Sequence, residues 1–153
     1  MRHLVIGAVV LTACTTTVQQ ASPAPGGGSM AAPAAVAAAF MQAVADSNLT
    51  QMGELWGTAK GSAATTGEPS DWLKRMAVTQ AYLRGWTARV AGENPGAAKR
   101  DERQLMVELT KPGCTKSMPV TMVVTKQGAW LVRTLDLEAA GVPGAPCNRI
   151  SGT

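Results

Sequence analysis

The run Val120-Thr121-Met122-Val123-Val124-Thr125-Lys126-Gln127-Gly128-Ala129-Trp130-Leu131-Val132-Arg133-Thr134-Leu135 decides the fold. Val120, Met122 and Val124 alternate with Thr121, Val123 and Thr125. Gln127-Gly128 is a turn signal, and beyond it Trp130, Val132 and Thr134 alternate with Leu131, Arg133 and Leu135. A period of two on both sides of a turn predicts a β-hairpin. Upstream, Leu105, Val107 and Leu109 alternate with Gln104, Met106 and Glu108. Further upstream, Trp86, Ala88 and Val90 alternate with Thr87 and Arg89, and Asn94-Pro95-Gly96 supplies a loop between these two runs. Four sequential strands with short connections predict an antiparallel meander.

Before Gly85 the period becomes helical. Trp72, Met76, Thr79 and Leu83 recur at steps of three and four, with Leu73 and Ala77 beside them. Ser70 is expected to cap this helix, Asp71 favours its positive end, and Gly85 suits the residue after it. Residues 58–69, rich in Gly, Thr and Ala, read as a loop. Asn48 with Gln51 three residues on is a cap and partner for a short helix with Leu49, Met52, Leu55 and Trp56 on its apolar face, stopped by Gly57. Pro33 suits a first helical turn, and Val36, Phe40 and Val44, flanked by Ala37 and Met41, define a helix to about Asp46. Three helices followed by four strands predict an α+β fold, with the helices covering one face of an antiparallel sheet.

The N-terminus is a separate problem. Arg2 and His3 precede the apolar run Leu4 to Val10. That run is too short to span a bilayer, which takes about 20 apolar residues, and it reads as a secretory signal. It ends in Leu11-Thr12-Ala13-Cys14, which resembles the lipobox of bacterial lipoproteins. The resemblance implies cleavage before Cys14, lipidation of its sulfur and attachment to a membrane through that lipid. Residues 1–13 are then the signal peptide, 14–30 a Pro/Gly/Ser-rich tether, and 31–150 a single domain. Thr15 after Cys14 resembles outer-membrane sorting, so the expected address is the cell envelope, at the outer membrane facing the periplasm.

Composition narrows the chemistry. The chain carries 14 Lys and Arg against 10 Asp and Glu. These charges are scattered, and Lys99-Arg100 is followed at once by Asp101-Glu102, so no basic face for nucleic acid is expected. The only histidine is His3, which leaves with the signal peptide. Its loss excludes Ser-His-Asp and Cys-His catalysis and removes the commonest metal ligand. No phosphate-binding or dinucleotide motif is present, and Gly26-Gly27-Gly28 lies in the tether with no strand before it. No cofactor or metal is expected. With Cys14 lipidated, Cys114 and Cys147 are a pair outside the cytosol, each in turn-like sequence, and are expected to be bonded. The bond would close a loop of about 34 residues and contribute on the order of 3–4 kcal/mol.

Phe40-Met41, Asn48-Leu49-Thr50-Gln51-Met52, Leu55-Trp56-Gly57, Trp72-Leu73-Lys74-Arg75-Met76 and Gly128-Ala129-Trp130-Leu131-Val132 together resemble the NTF2-like (cystatin-like α+β) superfamily, over residues 32–137. The resemblance implies helices laid into a curved sheet that forms a cone. It also implies either non-catalytic binding and assembly modules or isomerases, dehydratases and cyclases, whose enzymes use Asp, His or Tyr inside the cone. Many such domains dimerise through the sheet. The last two strands are apolar on both faces, which calls for a second cover: a second subunit or another envelope protein.

Five residues are candidates for ligand binding. Trp56 and Trp72 flank residues 58–69 and are placed at a pocket mouth, although these two, Trp86 and Trp130 are equally suited to be core bulk. Arg75 and Tyr82 share a helix face, where Arg75 either binds an anionic ligand or lies on the surface with its stem packed. Arg133 alternates with Leu131 and Leu135. It either points inward, with Glu108 as a candidate partner, or marks that face as outer. The leading expectation is a lipid-anchored envelope module that binds a protein or a small apolar ligand without catalysis. The alternative is an NTF2-like enzyme using Asp71, Glu54 or Tyr82 as acid or base.

Overall fold

The computed structural model describes residues 31–97, 99–145 and 147. The expected signal peptide, Cys14 and the tether lie outside these residues.

Helix α1 (Pro33–Ala45) starts with its proline in the first turn and buries Val36, Ala37, Phe40, Met41, Ala43 and Val44. Helix α2 (Leu49–Leu55) is capped by Asn48, whose Oδ1 accepts from the Gln51 N–H at 3.0 Å. The Asn48 side-chain Nδ2 in turn donates to Gln51 Oε1 at 3.3 Å, so the two side chains pair as the spacing predicts, while the Asn48 backbone N–H is taken by the Ala43 carbonyl. Residues 58–69 are more ordered than a loop. Strands β1 (Gly57–Thr58) and β2 (Gly61–Ser62) form a small antiparallel hairpin, followed by a single helical turn, α3 (Ala63–Thr66), capped by Ser62. Two-residue strands and a one-turn helix leave no periodic apolar signature to read. Gly57 is also not a helix stop. It belongs to the hairpin, where a Cβ would collide with the Gly61 carbonyl oxygen.

Helix α4 (Trp72–Leu83) buries Met76, Thr79 and Leu83, and Gly85 follows it at φ +76°, as expected of the residue after a helix. Its N-cap position is held by Asp71 rather than Ser70, and without a side-chain cap. The Asp71 carboxylate is engaged by Arg75 instead.

Strands β3 (Thr87–Glu93), β4 (Glu102–Lys111), β5 (Cys114–Val124) and β6 (Trp130–Leu135) form one antiparallel sheet in the order β3-β4-β5-β6. This is the meander that the alternation predicts. Lys111 pairs with Cys114 across Pro112-Gly113, with Gly113 at φ +74°, as a Pro-Gly turn requires. β5 extends through Pro119, although proline interrupts central strands. The Pro119 carbonyl accepts from the Asp136 N–H at 3.0 Å, so that edge of the residue faces the end of β6 and the ladder to β4 loses no donor. A short helix α5 (Leu137–Ala140), capped by Asp136, closes the described chain before its C-terminal turns. Five α-helices and this sheet make an α+β fold.

One face of the sheet is dry. Leu105, Val107, Leu109, Met118, Val120, Met122 and Val132 pack with Phe40, Met52 and Met76 in a single cluster whose members are almost wholly buried. All four tryptophans are half-buried at the margin of this cluster. Trp86 lies under Lys111, whose Nζ is 4.4 Å from the ring centre, and Trp130 lies under Arg103 at 5.7 Å. Beyond β6, Trp56 forms a parallel bridge with Val132 and covers that edge.

The other face is chiefly polar. Along β4 it presents Glu102, Gln104, Met106, Glu108 and Thr110, the residues that alternate with the buried set. Val123 and Leu131 are paired across β5 and β6 on this face and are nevertheless buried. The ion pair from Arg133 on β6 to Glu102 on β4 spans the strand between them, so two charged stems lie over this apolar pair.

Cys114 and Cys147 are brought together with their Cα atoms 5.9 Å apart, a spacing that suits a disulfide. Peptide mapping without reductant should therefore give a Cys114–Cys147 crosslinked peptide, and Cys147→Ser should lower stability by on the order of 3 kcal/mol. A second expectation concerns Gly53, where a Cβ would run into the Trp72 ring. Gly53→Ala gains about 1 kcal/mol of helix propensity and loses about 1–3 kcal/mol to overpacking. Net destabilisation in urea melts is expected, relieved when Trp72→Leu is added.

Candidate functional site

Helix α4 packs mainly on α1, α2 and α5. It therefore stands off β6, and the gap between them is an open groove of about 310 Å³. Its walls are Trp56, Met76, Val78, Leu135 and Leu137. Trp56 reaches it through the bridge to Val132. Met76 and Val78 come from α4, and Leu135 and Leu137 from the end of β6 and the start of α5.

The polar rim has two sources. Asp71, Lys74, Arg75 and Thr79 come from α4 and the residue before it, and Arg133 and Thr134 come from β6. Arg133 owes its place to a bulge. Thr121 pairs with Thr134 and Met122 with Val132, so Arg133 is the extra residue. Such an insertion bends the strand and re-aims its side chains. It also breaks the alternation on which Arg133 and Leu135 were expected to share a face. Leu135 belongs with Val132 against the core, while Arg133 stays with Leu131 on the outer side.

Of the two readings for Arg133 the structure follows the outer-face one, and Glu108, the partner considered for an inward arginine, is engaged elsewhere. Glu108 lies directly opposite Arg89 across β3 and β4 and accepts from its Nη2 at 3.1 Å. Arg133 instead pairs with Glu102, whose side chain is only 16% exposed. On α4, Arg75 Nε donates to Asp71 Oδ1 at 2.9 Å, one turn apart. That hydrogen bond outweighs the desolvation opposing it and, with lesser help from the charges of Arg75 and Lys74, holds the Asp71 carboxyl below its ordinary value. Among the described residues, Lys74 has no carboxylate within ion-pairing distance.

Three of the five expected ligand residues, Trp56, Arg75 and Arg133, thus meet in one groove. Trp72 does not join them, because its ring lies against Gly53 between α2 and α4. Tyr82 is half-buried two turns along α4 and lies off the groove, and Glu54 is exposed on α2, also away from it. Lys74 and Val78 escaped the sequence reading, although both fall on the helix face of Arg75, and Val78 is one of the few exposed large apolar side chains. Leu137 gave no signal, since its position depends on a four-residue helix.

Among the described residues no group of three or more Cys, His, Asp or Glu side chains is placed to hold a metal, and no helix is long and apolar enough to cross a membrane. The chain matches no protein-family model, no curated protein and no solved structure.

The groove offers an apolar wall, three cations and one carboxylate kept ionised by its neighbour. Depression of the folded-state Asp71 pKa means that the ion pair contributes fully above the unfolded value and is lost as pH falls through the folded one. Both partners are exposed, so solvent screens the contribution. Carboxyl-carbon NMR titration should place Asp71 below the ordinary aspartate value, and Arg75→Gln should move it back up. A midpoint unchanged by Arg75→Gln would exclude the pair in solution.

Proposed function

We propose that this chain is a lipid-anchored protein of the cell envelope whose NTF2-like domain binds a small apolar ligand or a protein partner without catalysis. The lipobox-like Leu11-Thr12-Ala13-Cys14 supports the anchor. Three main helices preceding a four-stranded meander, with α1 laid on one face of the sheet and α2 and α4 packed against α1, support the family reading. An outer-membrane address facing the periplasm rests on Thr15. A homodimer or an envelope protein is the partner class, with the polar outer face of the sheet or the groove as the contact.

The observation that carries the binding reading is the α4–β6 groove, which gathers Trp56, Arg75 and Arg133 from three separate elements around an apolar wall. The space between helices and sheet favours the same reading, since Phe40, Met52, Met76, Met118 and Met122 fill it. The enzymatic alternative finds less support. Asp71 is paired and held ionised, while Glu54 and Tyr82 lie away from the groove.

A neutral apolar fluorophore such as N-phenyl-1-naphthylamine should bind with a rise in emission. Val78→Asp, at a 42% exposed position, should leave the fold intact and abolish the rise. Unchanged binding in Val78→Asp would remove the groove from consideration. In a bacterial host the full chain should incorporate a palmitate analogue, and Cys14→Ser should not.

A further inference from the structure

We infer that the α4–β6 groove selects small amphipathic monoanions, a single carboxylate on a compact apolar body or short alkyl chain. The inference rests on the reading of this groove as a binding site and adds the chemistry of its ligand. Charge argues for it first. Lys74, Arg75 and Arg133 stand at the rim, and two carboxylates, Asp71 and Glu102, answer them. One positive charge is left over, and Lys74, without a carboxylate partner among the described residues, carries it.

Donor geometry argues the same way. Arg75 spends its Nε on Asp71 and Arg133 spends its Nη1 on Glu102. A guanidinium has five N–H donors, so both retain donors for a second oxygen acceptor. Arg133 is half exposed, with its side chain at 49%, and is therefore open to a ligand while still anchored.

Shape sets the other half of the ligand. Trp56, Met76, Leu135 and Leu137 make a wall that gains nothing from a purely polar anion. A volume of about 310 Å³ stands at the low end of small-molecule sites, roughly 300–1,000 Å³. A short chain or one or two rings fit, and a two-tailed lipid does not. A dianion would overcompensate the single surplus charge and bring a second negative charge against Asp71.

Octanoate, octan-1-ol and octylamine share one tail and differ in head charge. Titrating them by 15N-resolved NMR into the full chain carrying Cys14→Ser, which takes no lipid at that position, separates tail from head. Octanoate should bind about tenfold or more tighter than octanol, as a charge-assisted hydrogen bond warrants, with octylamine weakest and shifts centred on Lys74, Val78 and Arg133. Lys74→Glu breaks no ion pair and should bring octanoate to the level of octanol or below. Octanol binding as tightly as octanoate would overturn the anion preference while leaving the groove a binding site. Failure of all three, together with failure of the neutral fluorophore, would overturn both.

Discussion

Burial of one face of a single sheet is the constraint on which the rest of this structure depends. β4 and β5 alternate strictly enough that Leu105, Val107 and Leu109 lie opposite Val120, Met118 and Lys116 in register, and all but the lysine are buried. A sheet with one apolar face must be covered, and α1 does this with Phe40 and its small neighbours Ala37 and Ala43, all three fully buried. Methionines complete the interior. Unbranched and flexible side chains fill irregular gaps between a twisted sheet and straight helices, which explains why Met52, Met76, Met118 and Met122 meet in one cluster.

The groove follows from how that cover is shared. α1 lies on the sheet, whereas α4 packs on the other helices, so the flank between α4 and β6 cannot close. Trp56 and the bulge at Arg133 border the opening for different reasons. The tryptophan arrives because the chain leaving α2 pairs with Val132. The arginine arrives because one extra residue shifts the phase of β6. Arg133 takes no part in the core, and Trp56 lies at its margin, leaving part of its ring to face the groove.

The sheet and the three main helices were legible in the sequence because each carries a period over six or more residues with a turn or cap at its end. Asn48, Gly85 and Gln127-Gly128 marked boundaries that the structure keeps. What was not legible depends on single-residue events or on distant contacts. One inserted residue at Arg133 reversed the face assignment of Leu135 and left the arginine on the outer side, paired with Glu102 rather than Glu108. The β1–β2 hairpin lacks any period, and its key constraint is Gly57 against Gly61 rather than helix termination. Part of the candidate site was visible as residue types, namely Trp56, Arg75 and Arg133. Their convergence was not visible, since it requires the parallel bridge from Trp56 to β6 and the placement of α5.

The state of the charges bears on what such a groove is suited to do. Proton transfer at neutral pH favours a group whose pKa lies near the working pH, and burial or like charge is the means of bringing a carboxyl there. Asp71 experiences the opposite influence. It is exposed, and Arg75 one turn away donates to it and holds its proton off. Glu102, partly buried, sits beneath Arg133. Each acid near the groove is thus committed to orienting an arginine, and each arginine keeps donors to spare. With the interior occupied by side chains, a ligand at this flank would meet fixed positive charge and an apolar wall. Fixed charge beside an apolar wall suits holding an amphipathic molecule in place, and that is the physical ground of the binding role proposed for the groove.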